Sequence, residues 1–155
     1  MFTLPRTLRS LYELPRRLGA LPASERALLL EAALLLPSVH TLQSALPFRR
    51  WRSLLTLGPP HARLLPTDAP SPAQIAAAIE RARRGVPGVY KCLPQAYAGH
   101  LLLHRHGYAS TVQVGVARDA QGRVEAHAWV EREGKILIGE LPDLGRFVPL
   151  PPLRV

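Results

Sequence analysis

Apolar residues recur at helical spacing over the earlier part of the chain and at alternate positions over its last part. The first long apolar stretch, residues 27–36, follows Ser24, whose hydroxyl is a common helix N-cap. We therefore predict a helix that has Ser24 as its N-cap and runs to Leu36, where Pro37 ends it because proline lacks the N–H that a helix interior needs. Such a helix is much shorter than the roughly 20 apolar residues of a membrane span, so no transmembrane segment is expected.

A second amphipathic run covers about residues 39–57, and Pro47 interrupts it. The two runs together predict a helical arm over residues 1–57. Closely spaced prolines over residues 58–71 disfavour both helix and strand, so we predict a linker there. A folded core is then expected over residues 72–155.

Two more helices are predicted at the start of this core. Ser71 is a suitable N-cap, and Pro72 a suitable first residue, for a helix that runs to about Arg84. The next helix is predicted to begin at Cys92 and to continue to Gly107, because glycine allows the left-handed conformation that ends many helices.

Apolar and polar residues then alternate in three short runs, over residues 111–116, 124–131 and 135–138. The segments between these runs, residues 119–122 and 133–134, have the composition of hairpin turns. Helices followed by an antiparallel β-meander predict an α+β fold.

The composition adds a strong positive charge and a single cysteine. The 155 residues carry a formal net charge of +9, almost all of it from arginine. The arginines are scattered and are not interleaved with aromatic residues, so nucleic-acid binding is not expected, and attraction to an acidic peptide or protein surface is favoured. One cysteine cannot form an internal disulfide, so the composition favours a cytoplasmic location.

Cys92 is the candidate nucleophile of this sequence. A thiol in the first turn of a helix lies near unpaired backbone N–H groups and the positive end of the helix dipole, and both favour the thiolate. His127, in the strand-like sequence His-Ala-Trp-Val-Glu, is the candidate base. The simpler interpretation, that Cys92 is a small buried hydrophobic residue, holds for most free cysteines.

The remaining histidines form a weaker candidate site. His100 and His104 are four residues apart on one predicted helix, a spacing that metal ligands use, but no third ligand with supporting spacing follows. No metal site and no cofactor are therefore predicted. Trp129 follows His127 by two residues, so both lie on one face of the strand, where the indole would shield the imidazole from water.

Several short motifs follow one another in a fixed order. They are Cys-Leu-Pro-Gln-Ala from Cys92, a leucine-rich helix, Arg-His-Gly-Tyr, Val-Gln-Val-Gly-Val, Arg-Asp, and His-Ala-Trp-Val-Glu from His127. This order resembles the transglutaminase-like cysteine peptidases that process lasso-peptide precursors. Residues 21–26 and 46–50 also resemble the helical arm of that family, so the resemblance covers about residues 15–140.

The resemblance implies a transglutaminase-like core in which Cys92 attacks a peptide carbonyl and His127 transfers the proton. The backbone N–H of Cys92 is the expected oxyanion donor, and the hydroxyl of Tyr90 is a candidate for the second donor. Members of the family remove the leader from a ribosomal precursor peptide, and a separate cyclase closes the macrolactam. The chain is too short for a fused recognition domain, so a separate leader-recognition protein is expected.

The third catalytic position departs from the family. An aspartate commonly follows the histidine by twelve residues, and that position here is Gly139. Glu140 is our candidate for the role and Asp143 is the alternative, although in a regular strand Glu140 faces away from the side that Gly139 occupies. A backbone carbonyl or a water molecule could orient the imidazole instead, and both acids could simply be solvated.

The sequence leaves two alternative functions open. The same cysteine chemistry suits a related acyltransferase or a peptidase of another peptide-modification pathway. The missing aspartate also suits a catalytically degenerate scaffold of the same maturation complex.

Overall fold

The computed structural model describes residues 21–47, 50, 69–88 and 90–151. Within these residues, three α-helices precede a four-stranded antiparallel sheet, so the predicted α+β class is confirmed. The helices are α1 (Ala23–Ala45), α2 (Pro72–Gly85) and α3 (Cys92–Arg105). The strands are β1 (Thr111–Arg118), β2 (Val124–Arg132), β3 (Lys135–Ile138) and β4 (Val148–Pro149), and a 3-10 turn at Leu144–Arg146 precedes β4.

Helix α1 continues through Pro37, so the prediction that Pro37 ends it was wrong. Its buried residues follow one helix face on both sides of the proline and pack against α2 and α3; they are Leu28, Ala32, Leu36 and Val39. Burial of this face offsets the roughly 3 kcal/mol that a proline costs in a helix interior. The local sequence predicted that the helix ends at Pro37, but packing against α2 and α3 keeps the helix continuous.

The start of α1 also differs from the prediction. The helix begins at Ala23 with Pro22 in the N-cap position, and no side chain caps it, so Ser24 is not the N-cap. Glu25 lies in the first turn, where a carboxylate interacts favourably with the helix dipole, and it forms an ion pair of 3.3 Å with Arg81 of α2. The start of α1 is therefore stabilised by the Glu25 carboxylate, which also pairs with α2, and not by a capping hydroxyl.

Helix α1 is longer than the predicted helix, and its length bears on membrane crossing. By length and composition it could cross a bilayer, and 22% of its most apolar stretch is buried inside the protein. It is the single such helix in the described part of the chain, and one helix near the N-terminus is weak evidence for a span. Length therefore no longer excludes a span, while α2 and α3 already cover one apolar face of α1.

The starts of α2 and α3 agree with the predictions. Ser71 and Gln74 form a reciprocal capping box, in which the Gln74 N–H donates to Ser71 Oγ at 3.3 Å and the Ser71 N–H donates to Gln74 Oε1 at 2.8 Å. Cys92 is the first residue of α3. Gly107, just beyond that helix, has a φ of +83°, the left-handed conformation that was expected there.

The strands lie in the order β3-β2-β1-β4, and the two faces of the sheet pack against different neighbours. Ala128 and Val130 of β2 belong to the main core with the three helices. Trp129, between them, belongs to a smaller cluster with Ala117 and Phe147 on the opposite face. His127 shares the face of Trp129, since side chains alternate along a strand.

Helix α1 shares the main core with the elements that follow residue 69. The core includes residues from α1, α2, α3, β2 and β3, among them Leu36, Ile75, Ile79, Leu102, Val130 and Ile138. Most of the predicted linker lies outside the described residues. The division into an arm, a linker and a core stays a prediction.

Candidate active site

Cys92 and His127 line the same open cleft, which has a volume of about 510 Å³. Its lining residues come from α2 and from the first turn of α3. The others are His127 of β2 and residues 137–141, which include the end of β3. The fold thus brings the two predicted reactive side chains to one cavity, and Glu140 lines it too.

Cys92 lies where the dipole of α3 is most positive. The N-cap is Lys91, and no side chain caps the helix, so its first N–H groups have no side-chain acceptor. Such groups are available to a developing oxyanion. Cys92 is half-buried, and among the described residues no hydrogen bond joins its sulfur to His127. Catalytic hydrogen bonds are often long before substrate binds.

The segment that leads into Cys92 is fixed by two side chains. Gln95 Nε2 donates to the carbonyl of Tyr90 at 2.6 Å. The Tyr90 hydroxyl donates to the carbonyl of Pro87 at 2.8 Å, and its ring packs edge-on against His40 of α1 at 5.5 Å. The Tyr90 hydroxyl is therefore engaged by the Pro87 carbonyl, and its suggested role as an oxyanion donor stays a prediction.

The His127 imidazole is held by one hydrogen bond and two aromatic rings. Its Nε2 lies 2.6 Å from the carbonyl oxygen of Gly139. A carbonyl can only accept, so Nε2 carries a proton, and the free lone pair of the neutral ring is on Nδ1. Trp129 stacks on the imidazole at 6.2 Å and 16° between planes, and Phe147 lies 5.5 Å away. Trp129 therefore lies beside His127, as the alternation predicted.

Gly139, where the sequence resemblance led us to expect an aspartate, has no room for a side chain. Its φ is +84°, a conformation that side-chain-bearing residues rarely adopt. A Cβ at this position would lie 2.7 Å from the carbonyl oxygen of Ala128. The chain thus passes so close to β2 that the Gly139 carbonyl meets His127 directly.

The two candidate acids lie near the site, and neither hydrogen-bonds to His127. Asp143 accepts a hydrogen bond of 2.6 Å from Arg146 Nε, and this bond holds the pKa of Asp143 below its ordinary value. Glu140 is exposed and, among the described residues, makes no hydrogen bond or ion pair. The assignment of a third catalytic role to either acid therefore stays a prediction.

Comparison with known families agrees with this geometry. A model of the transglutaminase-like superfamily matches residues 11–151, which is almost the whole chain. The chain belongs to the transglutaminase-like superfamily. Members of the superfamily are in general cysteine peptidases or transglutaminases, so the chain has the fold of cysteine acyl-transfer enzymes. No curated protein and no solved structure matches the chain significantly.

One charged group on the wall of the transglutaminase-like cleft was not singled out from the sequence. Glu80 accepts two hydrogen bonds from Arg83, at 2.6 and 2.8 Å, and one from Arg84 at 2.8 Å. The Arg83 bonds are the largest cause that lowers the pKa of Glu80 to about 2. The sequence signal for this cluster is the spacing of three and four residues from Glu80 to Arg83 and Arg84 on one helix, which places these side chains side by side. Glu80 therefore lines the cleft as a paired carboxylate.

The other histidines of this superfamily member contact structural partners. His100 Nδ1 lies 2.9 Å from Ser110 Oγ, and burial lowers the pKa of His100. His106 Nε2 lies 3.3 Å from Glu31 Oε2 of α1. In the described ranges, no three histidine, cysteine or acidic side chains are grouped as metal ligands would be.

Proposed function

We propose that the protein is a cysteine peptidase that removes the leader from a ribosomally made lasso-peptide precursor. The observation that supports this most is the shared cleft, where Cys92 at a helix start and His127 with a free Nδ1 lie in a transglutaminase-like fold. The order of sequence motifs from Cys92 to His127 supports the narrower choice of substrate.

In the proposed reaction, Cys92 Sγ attacks the carbonyl of the last leader residue. His127 Nδ1 takes the thiol proton, the S–C bond forms, and the peptide C–N bond breaks as the imidazolium protonates the leaving amine of the core peptide. A water molecule, deprotonated by the same nitrogen, then hydrolyses the thioester to a leader carboxylate and a free thiol. The backbone N–H of Cys92 stabilises the oxyanion in both steps.

We further propose that the peptidase works in the cytoplasm with two partners, a leader-recognition protein and a macrolactam cyclase. The family resemblance supports both partners, and the net charge of +9 would attract an acidic leader or an acidic partner surface. The proposed chemistry needs only the thiol, the imidazole and water, so it includes no cofactor.

Mass spectrometry of a precursor peptide incubated with this protein and the recognition protein tests the proposal. We expect cleavage at one bond by the wild type, and no cleavage by Cys92→Ala or His127→Ala. The control is His104→Ala, because His104 lies on α3 but does not line the cleft. This variant should cleave the precursor nearly as well as the wild type. Precursor cleavage that persists in Cys92→Ala would contradict the assignment of Cys92 as nucleophile. A loss of cleavage in His104→Ala as large as that in His127→Ala would contradict the assignment of His127 as base.

One observation favours the degenerate scaffold as a second candidate function, namely that no described carboxylate hydrogen-bonds to His127. Iodoacetamide separates the two candidates, because an activated thiolate alkylates fast at neutral pH and an ordinary thiol does not. Slow alkylation of a folded protein that binds the leader without cutting it would favour the scaffold. A leader joined to an added amine would instead indicate an acyltransferase.

A further inference from the structure

We propose that the main-chain carbonyl of Gly139 is the positioning group for His127, in the role that a carboxylate has in the related peptidases. This inference rests on the proposed cysteine chemistry. It assigns the third role in the site, that of orienting the imidazole, to the backbone of Gly139 instead of to Glu140 or Asp143. The carbonyl acts through the imidazole and touches no substrate, so it is a positioning group and not a catalytic residue.

The contact between His127 and Gly139 has the geometry of an orienting hydrogen bond. The 2.6 Å separation between Nε2 and the oxygen is at the short end for such bonds. The bond fixes the tautomer, because only the form with the proton on Nε2 can donate to a carbonyl. Trp129 and Phe147 pack on the ring, so its rotation is restricted as well.

The local backbone is arranged to present this carbonyl. Gly139 follows β3 directly, with a φ of +84°, and a Cβ there would be 2.7 Å from the Ala128 oxygen. A side chain would push the chain away from β2 and take the carbonyl with it. The absence of a side chain at this position is therefore what permits the carbonyl to approach His127.

Neither nearby acid hydrogen-bonds to His127. Asp143 is paired with Arg146, whose guanidinium also forms an ion pair with Glu125 and stacks on the Phe147 ring at 4.5 Å. Glu140 is exposed on the cleft and has no partner among the described residues. Neutralising both acids should therefore leave the orientation of His127 unchanged. Making the Gly139 carbonyl a weaker hydrogen-bond acceptor should disturb that orientation.

Replacing the 139–140 amide by an ester tests this directly, because an ester carbonyl is a weaker acceptor and every side chain is kept. Cys92 is the only cysteine, so residues 92–155 can be synthesised with the ester and ligated at Cys92 to residues 1–91 without any other change. The probe is p-nitrophenyl acetate. Cys92 Sγ forms a bond to the acetyl carbon, the ester C–O bond breaks, p-nitrophenolate leaves, and water hydrolyses the thioester.

We expect the 139–140 ester to lower kcat about tenfold with little change in KM, since a weakened orienting bond affects the reacting state more than binding. The matched control is an ester at the 119–120 bond, which weakens one exposed turn contact, from the Gly122 N–H to the Asp119 carbonyl. Its kcat should stay within about twofold of the ligated wild type. The double variant Glu140→Gln, Asp143→Asn should stay within about threefold.

Nitrogen NMR of the His127 ring gives a second readout that does not depend on turnover. In the wild type and the double variant we expect the Nε2-bound proton to have the same downfield chemical shift. In the 139–140 ester we expect the chemical shift of that proton to move upfield. A hundredfold loss of kcat in the double variant, or loss of its Nε2 proton signal, would overturn the proposal and assign the role to a carboxylate. Absence of wild-type turnover would contradict the proposed chemistry, while the ring spectra would still decide the positioning group.

Discussion

Gly139 is held by two constraints that can be separated by mutation. Its φ of +84° disfavours any side chain, and the Ala128 oxygen would lie 2.7 Å from a new Cβ. Gly134 has a similar φ of +73° but nothing within 4 Å of such an atom. We expect Gly139→Ala to lower the free energy of unfolding by about 3 kcal/mol and Gly134→Ala by about 1 kcal/mol, measured by urea denaturation. Equal losses would mean that the chain beside Ala128 shifts without cost.

Glu80 predicts a specific pH dependence of stability. Its pKa falls from 4.5 to about 2 on folding, mainly through the Arg83 hydrogen bonds. A lowered pKa stabilises the folded state above pH 4.5, and the contribution is lost as the pH falls towards 2. Because 41% of the Glu80 side chain is exposed, solvent screening keeps the contribution below about 1 kcal/mol.

The variant Glu80→Gln should therefore be slightly less stable than the wild type at pH 7, and the two should converge as the pH falls from 4.5 towards 2. Urea denaturation at pH 7, 4.5 and 3 measures the difference. A gap that stays constant over this range would show that the ion pairs with Arg83 and Arg84 do not contribute to stability.

At the scale of the elements, α1 offers a matched pair of leucines. Leu36 is fully buried against the other helices, and Leu34 is 70% exposed. We expect Leu36→Ala to cost about 3 kcal/mol of unfolding free energy, through lost burial and a cavity, and Leu34→Ala to cost less than about 0.5 kcal/mol. Thermal or urea denaturation distinguishes them. Similar small losses in both variants would show that α1 does not pack on α2 and α3 in solution.

The elements also show how far local sequence determines this fold. Ser71 with Gln74, Cys92 at the start of α3, and the hairpin turns were predictable because their hydrogen bonds close within a few residues. Pro37 was misjudged because the packing that carries α1 past it comes from helices distant in sequence. A backbone carbonyl was one of the groups expected to orient His127, but the choice of Gly139 could not be predicted, since it needs a left-handed φ and a strand register that only the folded chain defines.

At the scale of the whole molecule, α1 is part of the core that supports the cleft. Leu28, Leu36 and Val39 pack in one core with buried residues of α2 and α3, two helices that supply lining residues of the cavity. We expect a fragment of residues 69–155 to lose the cooperative unfolding transition of the full chain and to bind the dye ANS, because its apolar core is then open. A fragment that unfolds cooperatively without binding the dye would support an independent core after residue 71.

The hydrogen bond from His127 to Gly139 has a genetic consequence. A carboxylate partner can be deleted by one nucleotide change, but every sense codon encodes a residue with a main-chain carbonyl. Substitution can remove this acceptor from His127 only by displacing the chain. A mutational scan of this region should therefore tolerate changes in the acids and reject nearly every change at position 139, a pattern that would be mistaken for a purely structural glycine.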